Sequence, residues 1–82
     1  VFFVYYSGHG ALVNNETFGL DAKFQAFNLD QFVRQLAQYP TSFVVGFFDC
    51  CRLNADFNIP SSPSVDIQGQ LAVVYAYPPD VE

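Results

Sequence analysis

Three runs of the 82-residue chain, Val1–Tyr6, Phe43–Phe48 and Leu71–Tyr77, are rich in valine, phenylalanine and tyrosine. Each is continuously apolar instead of alternating, which is the pattern of a strand covered on both faces of a sheet. Between the first two runs lies NLDQFVRQLAQY, residues 28–39, in which Leu29, Phe32, Val33 and Leu36 fall at helical spacing and form one apolar stripe. Asn28 suits the N-cap, Gln31 at the third helical position completes a loose capping box, and Asp30 and Arg34 form an i, i+4 ion pair. Pro40 stops the helix. Strand, helix, strand is a βαβ unit, so the first two strands are expected to run parallel.

The stretch NNETFGLDA adds a short hairpin after His9, with Asn14-Asn15 as its turn. Residues 53–70 carry Pro60 and Pro63 and no helical stripe, and so read as a long loop of a kind that often serves function. The fold class is α/β. No internal boundary divides residues 1–82, which read as the middle of one domain continuing at both ends. The chain has no methionine, opens directly in a sheet-like run, and is only 13% charged, against about 25% for an average soluble domain.

The net charge of −5, with Lys23, Arg34 and Arg52 as the only cations besides the histidine, argues against nucleic acid or an anionic membrane as the main partner. No apolar run approaches the roughly 18 residues of a membrane span, and no charged segment with a cleavage site precedes one. The two cysteines, Cys50 and Cys51, are adjacent and cannot build a disulfide framework. Free thiols in a reducing compartment, the cytoplasm, are expected. Vicinal cysteines also chelate poorly and no further ligand has suitable spacing, so neither metal nor cofactor is implied.

In a parallel sheet, reactive groups collect beyond the carboxyl ends of the strands. The first strand delivers Ser7-Gly8-His9-Gly10 there and the second delivers Asp49-Cys50-Cys51-Arg52. Neighbouring strands lie about 4.8 Å apart, close enough for a thiol to face an imidazole and become an activated nucleophile. Side chains alternate along a strand, so Asp49 and Cys51 share one side while Cys50 points to the other. Cys51 is therefore the candidate nucleophile and Cys50 a buried structural thiol. Plainer roles stand beside these. His9 could be a turn residue bonded to the backbone, Asp49 an acceptor for loop amides, and Arg52 a solvated or loop-pinning charge. Tyr5, Tyr6 and the phenylalanines read as core, and Glu16, Asp56 and Asp66 as surface charges.

VYYSGHG followed by FFDCCR resembles the caspase-like cysteine peptidases, most closely their paracaspase and metacaspase branch. In that group one strand ends in a Gly-His-Gly motif carrying the catalytic histidine, and a later strand ends in Asp-x-Cys carrying the nucleophile. His9 and Cys51 match these positions. Arg52 follows the paracaspase form, whereas RLN departs from the His-Ser-Gly usual in metacaspases. True caspases carry Gln where Asp49 stands, and their histidine lies about 50 residues upstream; here the separation is 42.

The resemblance implies a caspase-like sheet of mostly parallel strands flanked by helices, of which residues 1–82 are the central part. It implies a Cys–His endopeptidase with the backbone N–H groups of Gly10 and Cys51 as oxyanion hole. Peptide substrates with Arg or Lys at P1 follow, held by an acidic S1 pocket in which Asp49 matches one acid and Glu82, or less well Asp80, supplies the second. Homodimerisation through such domains is a further expectation. The alternative is a catalytically silent module that signals or scaffolds through dimerisation, against which the intact His9 and Cys51 pair speaks.

Overall fold

The computed structural model describes residues 1–23, 25–55 and 63–78. Along the chain the elements are β1 (Phe2–Ser7), β2 (His9–Val13), β3 (Glu16–Leu20), β4 (Ala26–Asn28), α1 (Leu29–Leu36), β5 (Phe43–Asp49) and β6 (Gln70–Tyr75). The three apolar runs form one parallel sheet in the order β1-β5-β6. A second, antiparallel sheet, β2-β3-β4, grows from the loop after β1. The described residues thus have an α/β architecture, mostly parallel in the larger sheet. No helix among them is long and apolar enough to cross a membrane.

The Asn14-Asn15 turn forms as expected. Both residues have positive φ, 52° and 63°, the backbone that a two-residue hairpin with right-twisted strands requires and that asparagine tolerates best after glycine. The strand β4 was not foreseen. It pairs Phe18 with Asn28 and Leu20 with Ala26, turning what reads as an isolated hairpin into a three-stranded sheet that leads straight into α1.

Asn28 caps α1 through its side-chain carbonyl, which accepts the Gln31 N–H at 2.8 Å. The other half of the capping box is diverted. The Gln31 side chain instead donates to the Pro63 carbonyl at 3.2 Å and accepts from Arg34 at 3.0 Å. Nor do Asp30 and Arg34 pair. Arg34 reaches Glu16 on β3 at 2.8 Å, and Asp30 is buried and bonded elsewhere. Glu16, read as a surface charge, is half-buried in that ion pair. The helix ends at Leu36, ahead of Pro40, with Ala37 as its cap. The Ala37 carbonyl is taken by the N–H groups of Gln68 and Gly69 at 3.2 and 2.9 Å, so the approach to β6 terminates the helix before the proline is reached.

One face of the parallel sheet packs on α1. Leu29, Val33 and Ala37 of the helix region meet Val44, Phe48 and Cys50, with Val4, Tyr6, Leu71, Val73 and Tyr75 around them. Fully burying side chains such as Val33, Val44 and Phe48 contributes about 1.5–3 kcal/mol each. The other face differs from expectation. Phe3 is 71% exposed, Tyr5 58% and Val74 50%, because the single helix of the described residues covers only one side. Phe32, although part of the apolar stripe, is also half exposed. It lines an open apolar hollow of about 450 Å³ between α1, β4 and the side of β1 away from β5.

Candidate active site

The site lies where β1 and β5 end. Their parallel register pairs Phe2 with Val44 and continues to Ser7 with Asp49, a constant offset of 42 residues. At Gly8 the chain bends with φ of +155°, a backbone that side chains rarely adopt, and the Gly8 N–H donates to the Asp49 carbonyl at 3.2 Å. The chain then re-enters extended structure as β2, and the segment after β5 runs parallel beside it. Leu12 bridges Asn54, again at an offset of 42. Its N–H donates to the Leu53 carbonyl at 2.8 Å and its carbonyl accepts the Ala55 N–H at 2.9 Å. His9 and Cys51 share that offset and lie between these two pairings. The hairpin strand that begins at His9 and the segment after β5 that carries Cys51 therefore run side by side.

Gly10 makes the approach possible. A Cβ there would lie 2.6 Å from Cys50 Sγ and 2.8 Å from the Cys51 carbonyl oxygen, far inside van der Waals contact. The backbone of the hairpin thus rests directly on the two cysteines. Tyr6, expected as core alone, has a second function: its hydroxyl donates to the His9 carbonyl at 2.6 Å and accepts the Leu20 N–H at 3.2 Å. It pins both strands of the hairpin at the level of His9.

Burial separates the two cysteines. From Phe47 to Arg52 the chain alternates between half-buried and buried residues, with Asp49 and Cys51 on the more open side and Cys50 and Arg52 on the closed one. Cys50 belongs to the core at 2% exposure. Burial pushes its thiol above the ordinary range, opposed by the Arg52 cation and reinforced by Cys51 and Asp49. Both thiols are free. His9 is exposed. Asp49 shares the face of Cys51, and its carboxylate accepts no hydrogen bond among the described residues. Glu82 and Asp80, the expected second acids, and Asp56 lie outside the described residues.

Arg52 is not a solvated charge, and of its two expected plain roles the pinning one fits. It is buried, donating to Thr17 Oγ1 at 2.9 Å and to the Tyr77 carbonyl at 3.3 Å, with its guanidinium 3.8 Å from the Tyr75 ring centroid. Sequence reasoning missed Thr17, Asp30 and Tyr75 as its surroundings. The available signal was an arginine in a chain with three basic residues, placed at an inward position of the strand extension.

The model of the caspase domain family (peptidase C14) matches residues 1–76. A search of curated proteins finds no match. The family match covers nearly all of the chain, and the chain belongs to the caspase domain family, a family of cysteine peptidases.

Proposed function

We propose that this chain carries the Cys–His centre of an endopeptidase of the paracaspase and metacaspase branch, cleaving after Arg and more weakly after Lys in peptide substrates. The observation that carries the reading is the register: pairings at the same offset of 42 flank His9 and Cys51 on both sides. The His9 imidazole takes part in proton transfer. The Cys51 thiolate attacks the scissile carbonyl, the C–N bond breaks as the amine leaves with a proton from the imidazolium, and water hydrolyses the resulting acyl-enzyme. The N–H groups of Gly10 and Cys51 stabilise the developing oxyanion. Asp49, half-buried and with no hydrogen bond to its carboxylate among the described residues, meets the cationic P1 side chain, since a partly desolvated carboxylate gains most from a bidentate arginine. The two free thiols fit a reducing compartment such as the cytoplasm.

The test uses the full-length protein and a thiol-reactive peptide ending in an arginine acyloxymethyl ketone. Mass spectrometry is expected to place one adduct on Cys51. Cys51→Ala abolishes cleavage of Arg peptides and Cys50→Ala keeps most of it, while His9→Ala lowers kcat by several orders of magnitude with the fold retained. An adduct on Cys50 alone, or near-normal turnover in His9→Ala, removes the dyad as assigned.

A further inference from the structure

Charged side chains are almost never fully buried unless paired, yet Arg52, directly after Cys51, is 9% exposed and Asp30 on α1 is 7% exposed. The two do not touch through an ion pair. They are joined on both sides by intermediates. On one side, Arg52 Nε donates to Thr17 Oγ1 at 2.9 Å, and the Thr17 N–H donates to Asp30 Oδ2 at 2.7 Å. On the other, the Arg52 guanidinium lies 3.8 Å over the Tyr75 ring, and the Tyr75 hydroxyl donates to Asp30 Oδ1 at 2.5 Å. Arg52, Thr17, Asp30 and Tyr75 thus close a ring that draws on the nucleophile segment, β3, α1 and β6.

An apolar side chain could fill the same space without desolvating a cation. What arginine adds is direction: a planar fork and a stacking face whose orientation is fixed by several partners at once. Thr17 is paired with Leu12 across the hairpin, and Leu12 is the residue that bridges Asn54. The ring therefore grips the hairpin bearing His9 and the chain bearing Cys51 at one point, from beneath. We propose that Arg52 is a positioning residue for Cys51, the ring Arg52–Thr17–Asp30–Tyr75 holding the thiol in register with the His9 imidazole. This rests on the endopeptidase reading above, and it names a requirement of that site which neither reacting group supplies.

The experiment uses the full-length protein and two substitutions that leave every formal charge in place, Arg52→Lys and Tyr75→Phe. Lysine keeps the cation but loses the fork, and phenylalanine keeps the stacking ring but frees Asp30 from it. Two quantities are read: kcat and KM on an arginine peptide, and the pH dependence of Cys51 alkylation by iodoacetamide, with folding followed by circular dichroism. Misplacement of a reacting group by about 1 Å costs on the order of 100-fold. Arg52→Lys is expected to lose roughly 10- to 100-fold in kcat and Tyr75→Phe about 3- to 10-fold, with KM within about twofold. The lower limb of the alkylation profile moves to higher pH in both, because a thiolate no longer aligned with the imidazolium is less stabilised. That limb is blind to a loss of stability alone. If both variants fold and keep the parent kcat and alkylation limb, or lose only in KM, the positioning role is overturned. Should Arg52→Lys not fold, Tyr75→Phe decides by itself. If the unsubstituted protein cleaves no arginine peptide, the endopeptidase reading fails, and the alkylation limb still decides for or against Arg52.

Discussion

A methyl group at Gly10 would press on Cys50 Sγ and on the Cys51 carbonyl oxygen, at 2.6 and 2.8 Å, and the second of these is backbone and has little room to move. Gly10→Ala is therefore expected to push the hairpin off the cysteines. It should cost about 1–3 kcal/mol of stability and, by separating His9 from Cys51, on the order of 100-fold in kcat. Denaturant titration and steady-state kinetics on the same preparation check it, and unchanged turnover would show that the hairpin can retreat without disturbing the site. Asp49 offers the complementary experiment, because it faces outward with Cys51 and leaves the packing alone. Asp49→Asn should lower kcat/KM for arginine peptides by roughly 2–4 kcal/mol equivalent, with lysine affected as well. A P1-scanning library reads this directly, and a preference for Asp at P1 would take Asp49 out of the pocket. At this scale the sequence is informative about Asp49, Cys50 and Cys51, because simple alternation along a strand sorts them into open and closed sides as the structure does. It leaves Arg52 between a solvated and a pinning role because alternation says only that the side chain points inward. Whether an inward arginine is tolerated depends on Thr17, Tyr75 and Tyr77, residues 35, 23 and 25 positions away in a folded arrangement that no local pattern encodes.

Elements declare themselves unevenly. The strands β1, β5 and β6 are legible because a continuous apolar run has few other uses in a short chain, and α1 because its stripe and the Asn28 cap agree. Asn14-Asn15 is legible for a steric reason, since two successive positive φ values favour asparagine and glycine. The same reason makes a prediction. Asn15 has φ of 63°, so Asn15→Gly should be neutral or slightly stabilising, whereas Asn15→Val should cost roughly 1–2 kcal/mol by forcing a β-branched side chain into a left-handed backbone. Thermal unfolding of the two variants side by side checks the order, and equal midpoints would mean the turn is not held as described. The strand β4 escapes the sequence because Ala26-Phe27-Asn28 is too short to show a period and pairs by virtue of lying next to β3. The Asp30–Arg34 pair fails for a related reason. Spacing predicts proximity on an isolated helix, but α1 lies against β3, where Glu16 draws Arg34 and the Thr17 N–H draws Asp30.

For the molecule as a whole, the 42-residue separation of the two motifs is the register of its parallel pairing, from Phe2 with Val44 to Leu12 with Asn54. The two motifs share the offset at which the strands around them pair. Holding that register is the task of a core that also contains the Cys50 thiol and the hydrogen-bonded side chains of Thr17, Asp30, Arg52 and Tyr75. This arrangement has a pH consequence. Cys50 and Tyr75 both have pKa values raised above the ordinary 9.0 and 10.0, in each case chiefly by burial, with Asp30 adding to the rise at Tyr75 by accepting its hydroxyl hydrogen bond. Tyr6, which pins His9, is raised as well, again chiefly by burial. All three are neutral when protonated. The unfolded chain gives up these protons first, so their contribution to stability is complete below about pH 9 and is lost progressively as pH rises from there through the folded values. The urea midpoint of the full-length protein is accordingly expected to stay level on account of these groups up to about pH 9 and to fall beyond it. Tyr75→Phe separates the contributions. At neutral pH it should lower stability by about 1.5–3 kcal/mol, the worth of a hydrogen bond to a charged group. Having no phenol to ionise at that position, it should then lose less than the parent between pH 9 and 11, so that the two midpoint curves converge. Parallel curves across that range would show that the Tyr75 hydroxyl ionises as readily in the folded protein as in the unfolded chain, and that Asp30 does not hold it.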